Sequence, residues 1–437
     1  MPGIAPICHA WRFADQGASG PRDITSRLAP PYDVVTTELR RRLLAIDPAC
    51  SVGVDVPQVP VDRVGPDAAY RQARQTFDSW IANGTLTPMA RPAIGVLRQT
   101  FAEGRHVVRR HAVLAELPLA PLGSSTGLFA HEETGSGPRG DRLALLNALR
   151  VQTSPIFGLY SDEEGSVEEV YRHVEMHTEP SLVGVSTDHA LSELWLVEDE
   201  RLMERLLLAF GRREVIVADG HHRYASQLAY LESLGSAAPP AARSCLFALV
   251  AQEDTGMSIR AMHHVFGDID RFSIQAVFEA MDDLCRFEEV PGGPSELAEH
   301  VARAWFERSH PIGLVDFASR RCFVMTTRFI DPLAEQFPQA PETWRRAAPV
   351  VCERLLVRRT LCEQLNGGKE LSRRPVFDVA DLEQPDRTLP GAQLGVVMLP
   401  VPLAEVLAIA PSGDLLPPNS TFFWPKMPTG LIFKSLE

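Results

Sequence analysis

Short apolar runs alternate with helically spaced stretches along most of this chain. AIGVLRQTF, HVVRRHAVLAEL, SPIFGLYS, ELWLVED, EVIVAD, SCLFALVAQ and CFVMTTRF have the length and composition of strands. Between them, AAYRQARQTFDSWIANG, DRLALLNALRVQ, GSVEEVYRHVEMH, RLMERLLLAFG, HRYASQLAYLESLG and IQAVFEAMDDLC place apolar residues three and four apart and predict helices. Strands and helices that are intermixed rather than segregated predict an α/β (mixed α+β) fold. The most apolar late stretch, LGVVMLPVPLAEVLAIA, is interrupted by Pro400, Pro402 and Glu405, so it reads as strand, turn and helix rather than a membrane span. GSAAPP and VPGGPSE read as surface loops. EETGSGPRGDR reads as a glycine-rich connector flexible enough to close over a ligand. Soft boundaries near residues 125 and 270 divide the chain into segments 1–125, 126–270 and 271–437.

Composition narrows the function classes. A chain of 437 residues, 45% hydrophobic and 23% charged, has the make-up of a globular protein with a large core. Its formal net charge of −13 disfavours non-specific attachment to nucleic acid or an anionic membrane. Seven scattered cysteines, with no CxxC pair and no zinc-ligand spacing, suggest a reducing compartment. The first residues lack the basic and apolar pattern of a signal peptide, and the expected location is cytoplasmic.

The stretch EVIVADGHHRYASQ concentrates the chemistry. Val215, Ile216 and Val217 predict a buried strand, Asp219-Gly220 ends it, and Tyr224, Leu228 and Leu231 follow at helical spacing. His221, His222 and Arg223 then occupy a helix start, where the dipole favours acids. An anion would resolve that conflict, because free amides after a glycine turn are a phosphate site and Arg223 can grip a phosphate with two donors. Asp219 is placed to hold a magnesium ion, to accept a hydroxyl proton, or merely to cap the helix.

Other candidates are weaker when read alone. In HEET, Glu132 can be a general base or metal ligand with His131 orienting it, or both can be ordinary loop residues. The spacing is not that of the HExxH zinc motif. Tyr32 and Asp33 follow two stiffening prolines in APPYDVV and can line a pocket or simply build a rigid turn. Lys426, in NSTFFWPKMPTG, can neutralise phosphate oxygens, and at least one face of the Phe422–Trp424 run is expected in the core. His173 and His177 stand four apart but read as a solvated helix face. WRRAAPVVCERLLVRR likewise reads as a solvated helix, with nucleic-acid binding disfavoured.

DGHHR at a strand-to-helix turn resembles the phosphate-binding motif of the ParB/sulfiredoxin superfamily, and within it the free serine kinases carry the same string. The ordered motifs APPYDVV, HEET, DRLALL, SPIFGLY, ADGHHRYAS and PPNSTFFWPKMPTGL resemble, nearly end to end, the prokaryotic family catalogued as domain of unknown function 1015. The resemblance implies a ParB/sulfiredoxin-like nucleotide core in residues 126–270. It implies ATP or ADP with Mg2+ as cofactors, and a small-molecule acceptor such as serine. It places Gly220, His221, His222, Arg223 and Lys426 at the phosphates, Asp219, Glu132 and His131 at the chemistry, and Tyr32, Asp33 and His263 near the substrate. Two positions depart from the family pattern: His264 stands where an arginine is usual, and Asn419 where a lysine is usual. A nucleotide-binding regulatory module and a catalytically silent homologue are the rival readings. Thiol chemistry of the sulfiredoxin kind is disfavoured, because His221 occupies the cysteine position.

Overall fold

The computed structural model describes residues 1–14, 20–305 and 310–437, apart from the side chain of Ser136. The chain forms two units, each assembled from separated segments. The first comprises Met1–Ala130, Thr134–Ser258 and Pro425–Glu437, the second His131–Glu133 and Ile259–Trp424.

The first unit is built on a nine-stranded sheet. Its order is Arg22–Asp23, Leu182–Val185, Leu191–Val197, Ile94–Glu103, His106–Pro118, Ser244–Ala251, Ile156–Tyr160, Val215–Asp219 and Leu128–Ala130. The strands Ser244–Ala251, Ile156–Tyr160 and Val215–Asp219 read as near-continuous apolar runs because both faces are covered, and Phe247, Leu249 and Ile156 are fully buried. A four-stranded sheet joins Leu86–Pro88, Ala10–Phe13, Phe433–Ser435 and Val151–Gln152. Strands before and after residue 125 pair in the same nine-stranded sheet.

All seven predicted strands form, and each of the six helices predicted between them is present. The glycine-rich connector differs from expectation: its second half opens the helix Ser136–Leu149. Its glycines allow close approach rather than flexibility. A Cβ on Gly140 would lie 3.1 Å from Val64, and one on Gly137 would strike the Asp62 carbonyl. That helix packs on His221–Leu234, whose buried face is also rotated from the expected stripe. Arg223, Tyr224, Ser226, Gln227 and Tyr230 are buried, whereas Leu228 and Leu231 are only partly so. Polar anchors set the rotation: Ser226 donates to the Arg139 or His222 carbonyl, and Tyr224 donates to the Ala120 carbonyl at 2.6 Å.

The second unit holds a six-stranded sheet in the order Cys285–Val290, Arg321–Thr327, Ile312–Asp316, Ala392–Val397, His263–Gly267 and Ser372–Val376. Phe422 and Phe423 are both buried there, so two faces of that run serve as core. The arginine-rich stretch is not a solvated α-helix. It divides into Glu342–Arg346, Ala348–Val351 and the wider-wound π-helix Cys352–Leu365, within which the Thr360 hydroxyl also donates to the Leu355 carbonyl. Leu355, Leu356 and Leu361 are buried. The arginines are paired or stacked, Arg345 on Asp331, Arg346 on Glu342, Arg359 on Asp283 and Arg354 over Phe337, which leaves no open basic stripe. Among the described residues no helix is long and apolar enough to cross a membrane.

Candidate functional site

The DGHHR turn lies in the first unit. Val215–Asp219 ends at Asp219, Gly220 takes φ +91° as the residue capping the helix, and His221–Leu234 begins immediately. No side chain caps this helix and no acid stands in its first turn. Asp219 is therefore not the cap. It lies at the strand end, with Oδ1 accepting from Lys426 Nζ at 2.6 Å and Oδ2 from Arg223 Nη2 at 3.0 Å. Lys426 also donates to Asp33 at 3.0 Å. Arg223 reaches back to Ser154 Oγ at 2.6 Å and the Pro155 carbonyl at 2.9 Å, tying the turn to the start of the neighbouring strand.

Two cations and two carboxylates thus interlock behind the helix start. Burial alone would push the Asp219 carboxyl upward, but the Lys426 ammonium and then the Arg223 guanidinium hold it well below the usual range. Burial disfavours the Lys426 charge, yet Asp219 and Asp33 keep it above an ordinary lysine value. His222 is pushed down, mainly by burial, so it is neutral at neutral pH, and among the described residues its buried Nδ1 has no hydrogen-bond partner. Tyr32 is buried beneath the Arg142 guanidinium, 4.4 Å from its ring centre, and burial raises its phenol, which stays protonated.

Asp219 fits a magnesium ion poorly, because both of its oxygens already serve cations. Among the described residues no group of three metal-ligating side chains could hold a metal.

Gly220 is required by geometry. A Cβ there would lie 3.0–3.2 Å from the Arg223 guanidinium, on a backbone that side chains rarely adopt. Gly220→Ala is expected to cost about 1–3 kcal/mol, measurable by urea unfolding, with the loss falling on the first unit.

His131, Glu132 and His263 belong to the second unit. Glu132 is held by the amides of Asn419, Ser420 and Thr421 at 2.7, 3.1 and 3.3 Å and by the Thr421 hydroxyl at 3.1 Å. Burial pushes its carboxyl up to about 7, against the pull of those donors. His131 is fully buried with Nε2 2.8 Å from Thr421 Oγ1. Thr421 has one proton, so if it serves Glu132 the histidine must donate to the threonine. Asn419 adopts φ +59°, a conformation asparagine tolerates, and keeps its amide on Glu132. His263 accepts from the Met398 amide at 3.2 Å, and burial lowers it to about 4. His264 is also buried, and its ring faces the guanidinium of Arg373 from the adjacent strand, within 3.0 Å.

The sequence reading missed Ser154, Thr421 and Arg373. Ser154 and Thr421 lie inside motifs already noted, but nothing local marks their partners.

A protein-family model described as "Protein of unknown function (DUF1015)" matches residues 6–335. No curated protein matches the chain. Among solved structures, a free serine kinase in complex with AMP aligns over 71% of this chain and 86% of its own, with 12% identity and a TM-score of 0.36. A conserved hypothetical protein from Pyrococcus furiosus aligns over 73% of this chain and 93% of its own, with 13% identity and a TM-score of 0.36. Likeness at that level assigns no chemistry to this chain.

Proposed function

The chain belongs to the DUF1015 family, and from that premise we propose that it is a nucleotide-dependent phosphotransferase acting on a small-molecule hydroxyl, with serine or a serine-like amino acid as acceptor. The observation that carries this reading is the uncapped start of His221–Leu234. Its first-turn residues are two histidines and an arginine, and the preceding Asp219 is bound to Lys426. Such a helix end is matched by an anion, and phosphate suits both its amides and its cations. The resemblance of DGHHR to the ParB/sulfiredoxin phosphate turn supports the same ligand.

In the reaction, the acceptor hydroxyl oxygen attacks the terminal phosphorus of the nucleotide and the bond to the bridging oxygen breaks. The nucleoside diphosphate leaves, and the hydroxyl proton passes to a carboxylate. Fixed amides and cations stabilise the charge carried by the phosphoryl oxygens in a loose transition state. Lys426 and Arg223 are balanced by Asp33 and Asp219, so a phosphate takes donors that now serve carboxylates. On protonation alone Glu132, titrating near neutrality, is better matched to accepting a proton than the cation-saturated Asp219. That saturation is also what favours the second reading, a regulatory module that binds nucleotide without transferring phosphate.

Calorimetric titration with ATP, ADP and CTP is expected to give saturable binding. Arg223→Ala should weaken it roughly 100-fold, the scale of a charged hydrogen bond lost from a desolvated site. Phosphorus NMR of reactions with hydroxy amino acids should then reveal a new phosphate ester. No heat with any nucleotide ends the phosphotransfer reading, and binding without an ester selects the regulatory module.

A further inference from the structure

A cavity of about 430 Å3 lies within the second unit, lined by Trp305, His310, Glu342, Thr343, Arg346 and Glu405. Its size is that of a small-molecule site. Three separate elements wall it: Trp305 follows the helix Pro294–Ala304, Glu342–Arg346 supplies one side, and Leu403–Ile409 supplies Glu405.

The charges on these walls are incompletely matched. Arg346 bonds Glu342 at 2.7 Å through one terminal nitrogen. Glu405, on the opposing helix, is half-buried, and among the described residues its carboxylate has no hydrogen bond or ion pair. Burial pushes its carboxyl up to about 7, with Arg346 pulling in the other direction. His310 brings no charge at neutral pH: burial lowers it, and its Nε2 is fixed 2.7 Å from the Ile330 carbonyl. A desolvated carboxylate without a bound cation is costly, and an arriving ammonium would relieve that cost.

We propose that this cavity binds a small zwitterion of the α-amino-acid type. The ligand's ammonium faces Glu405, its carboxylate takes the free donors of Arg346, and its side chain lies along the Trp305 indole. A simple cation would be repelled by Arg346, and a simple anion by Glu405. A molecule carrying both charges satisfies both walls. The indole adds a surface that attracts an ammonium and shelters apolar atoms. This inference goes beyond the phosphotransfer reading and does not depend on it, because no group of the DGHHR turn takes part.

The test is calorimetric titration of the full chain with glycine, serine, leucine and lysine in the absence of nucleotide, with tryptophan fluorescence followed in parallel. At least one amino acid should bind saturably, while its N-acetyl and methyl-ester derivatives, each lacking one charge, should bind roughly tenfold more weakly or not at all. Glu405→Gln, an isosteric change, should weaken binding roughly tenfold, leave any ATP binding unchanged and not lower the melting temperature, since it removes a carboxylate that burial disfavours. Affinity should rise between about pH 6 and about pH 8 as Glu405 ionises, with Glu342, Arg346 and His310 as the other titratable groups facing the cavity among the described residues. Absence of binding by every amino acid, or equal binding by wild type and Glu405→Gln, overturns the proposal. Loss of nucleotide binding elsewhere leaves it standing, so the two readings fail separately.

Discussion

Replacing Lys426 with methionine is expected to cost the first unit about 3–5 kcal/mol of stability, because it removes one partner from a buried charge network. The lysine side chain is 7% exposed and Asp219 is 17% exposed. Water therefore cannot take over solvation of the carboxylate that loses its ammonium. Methionine keeps most of the apolar stem, so the loss reports the charge. The pH dependence gives a second signature. The folded Asp219 carboxyl lies below its unfolded value of about 4, so its contribution is present above that value and lost as pH falls through the depressed one. Lys426 is raised, so its contribution is present below about 10.5 and lost as pH rises through its folded value. Wild type should hold this stabilisation across the whole neutral range, and Lys426→Met should lose the alkaline limb and show a smaller acid one, because Arg223 still holds Asp219. Urea unfolding between pH 3 and pH 9 reads the acid limb, and addition of Asp219→Asn to the variant should restore part of the loss. A penalty below about 1 kcal/mol would assign the cluster to the solvated class of ion pairs.

What the sequence disclosed and what it withheld follow from the range of the interactions involved. The strand-turn-helix at Asp219-Gly220 was legible because every signal for it is local: a short apolar run, a glycine, and helical spacing. The partners were not. Asp33 and Lys426 are 393 positions apart, and Glu132 meets the amides of Asn419 to Thr421 across nearly 290. Sheet topology brings such residues together, and no pattern in a window of ten or twenty residues carries that information. The helix Cys352–Leu365 failed for another reason. Its apolar residues were read at α-helical spacing, and hydrogen bonding to the fifth residue places them on a face that the spacing rule does not test. His264 and Asn419, read as lost cations, turn out to have local answers. Arg373 brings a guanidinium to His264, and asparagine suits the left-handed backbone at 419.

Glu132→Gln should destabilise the second unit by about 1–3 kcal/mol at pH 5, and by little or nothing at pH 8. Both oxygens of the carboxyl keep acceptor lone pairs even when one is protonated, whereas glutamine has one acceptor oxygen and an amide nitrogen that is forced against a backbone or hydroxyl donor of the 419–421 turn. The sign of the pH effect follows from the raised carboxyl. A folded value of about 7, above the ordinary glutamate value of 4.5, means that folding takes up a proton. The associated stability is present below the unfolded value and is lost as pH rises through about 7. That loss is on the order of 3 kcal/mol and belongs to the wild type alone, since glutamine does not titrate. The gap between the two proteins must therefore narrow toward alkaline pH. Glu405 gives the wild type a slope of the same sign, but it is present in both proteins and cancels in their difference. Urea unfolding of the pair at pH 5 and pH 8 measures the narrowing, and turnover measured beside it separates the roles of Glu132. Stability lost with phosphate transfer intact makes Glu132 a latch on the 419–421 turn. Phosphate transfer lost at a pH where both proteins are folded, together with loss of a kinetic pKa near 7, makes it the proton acceptor.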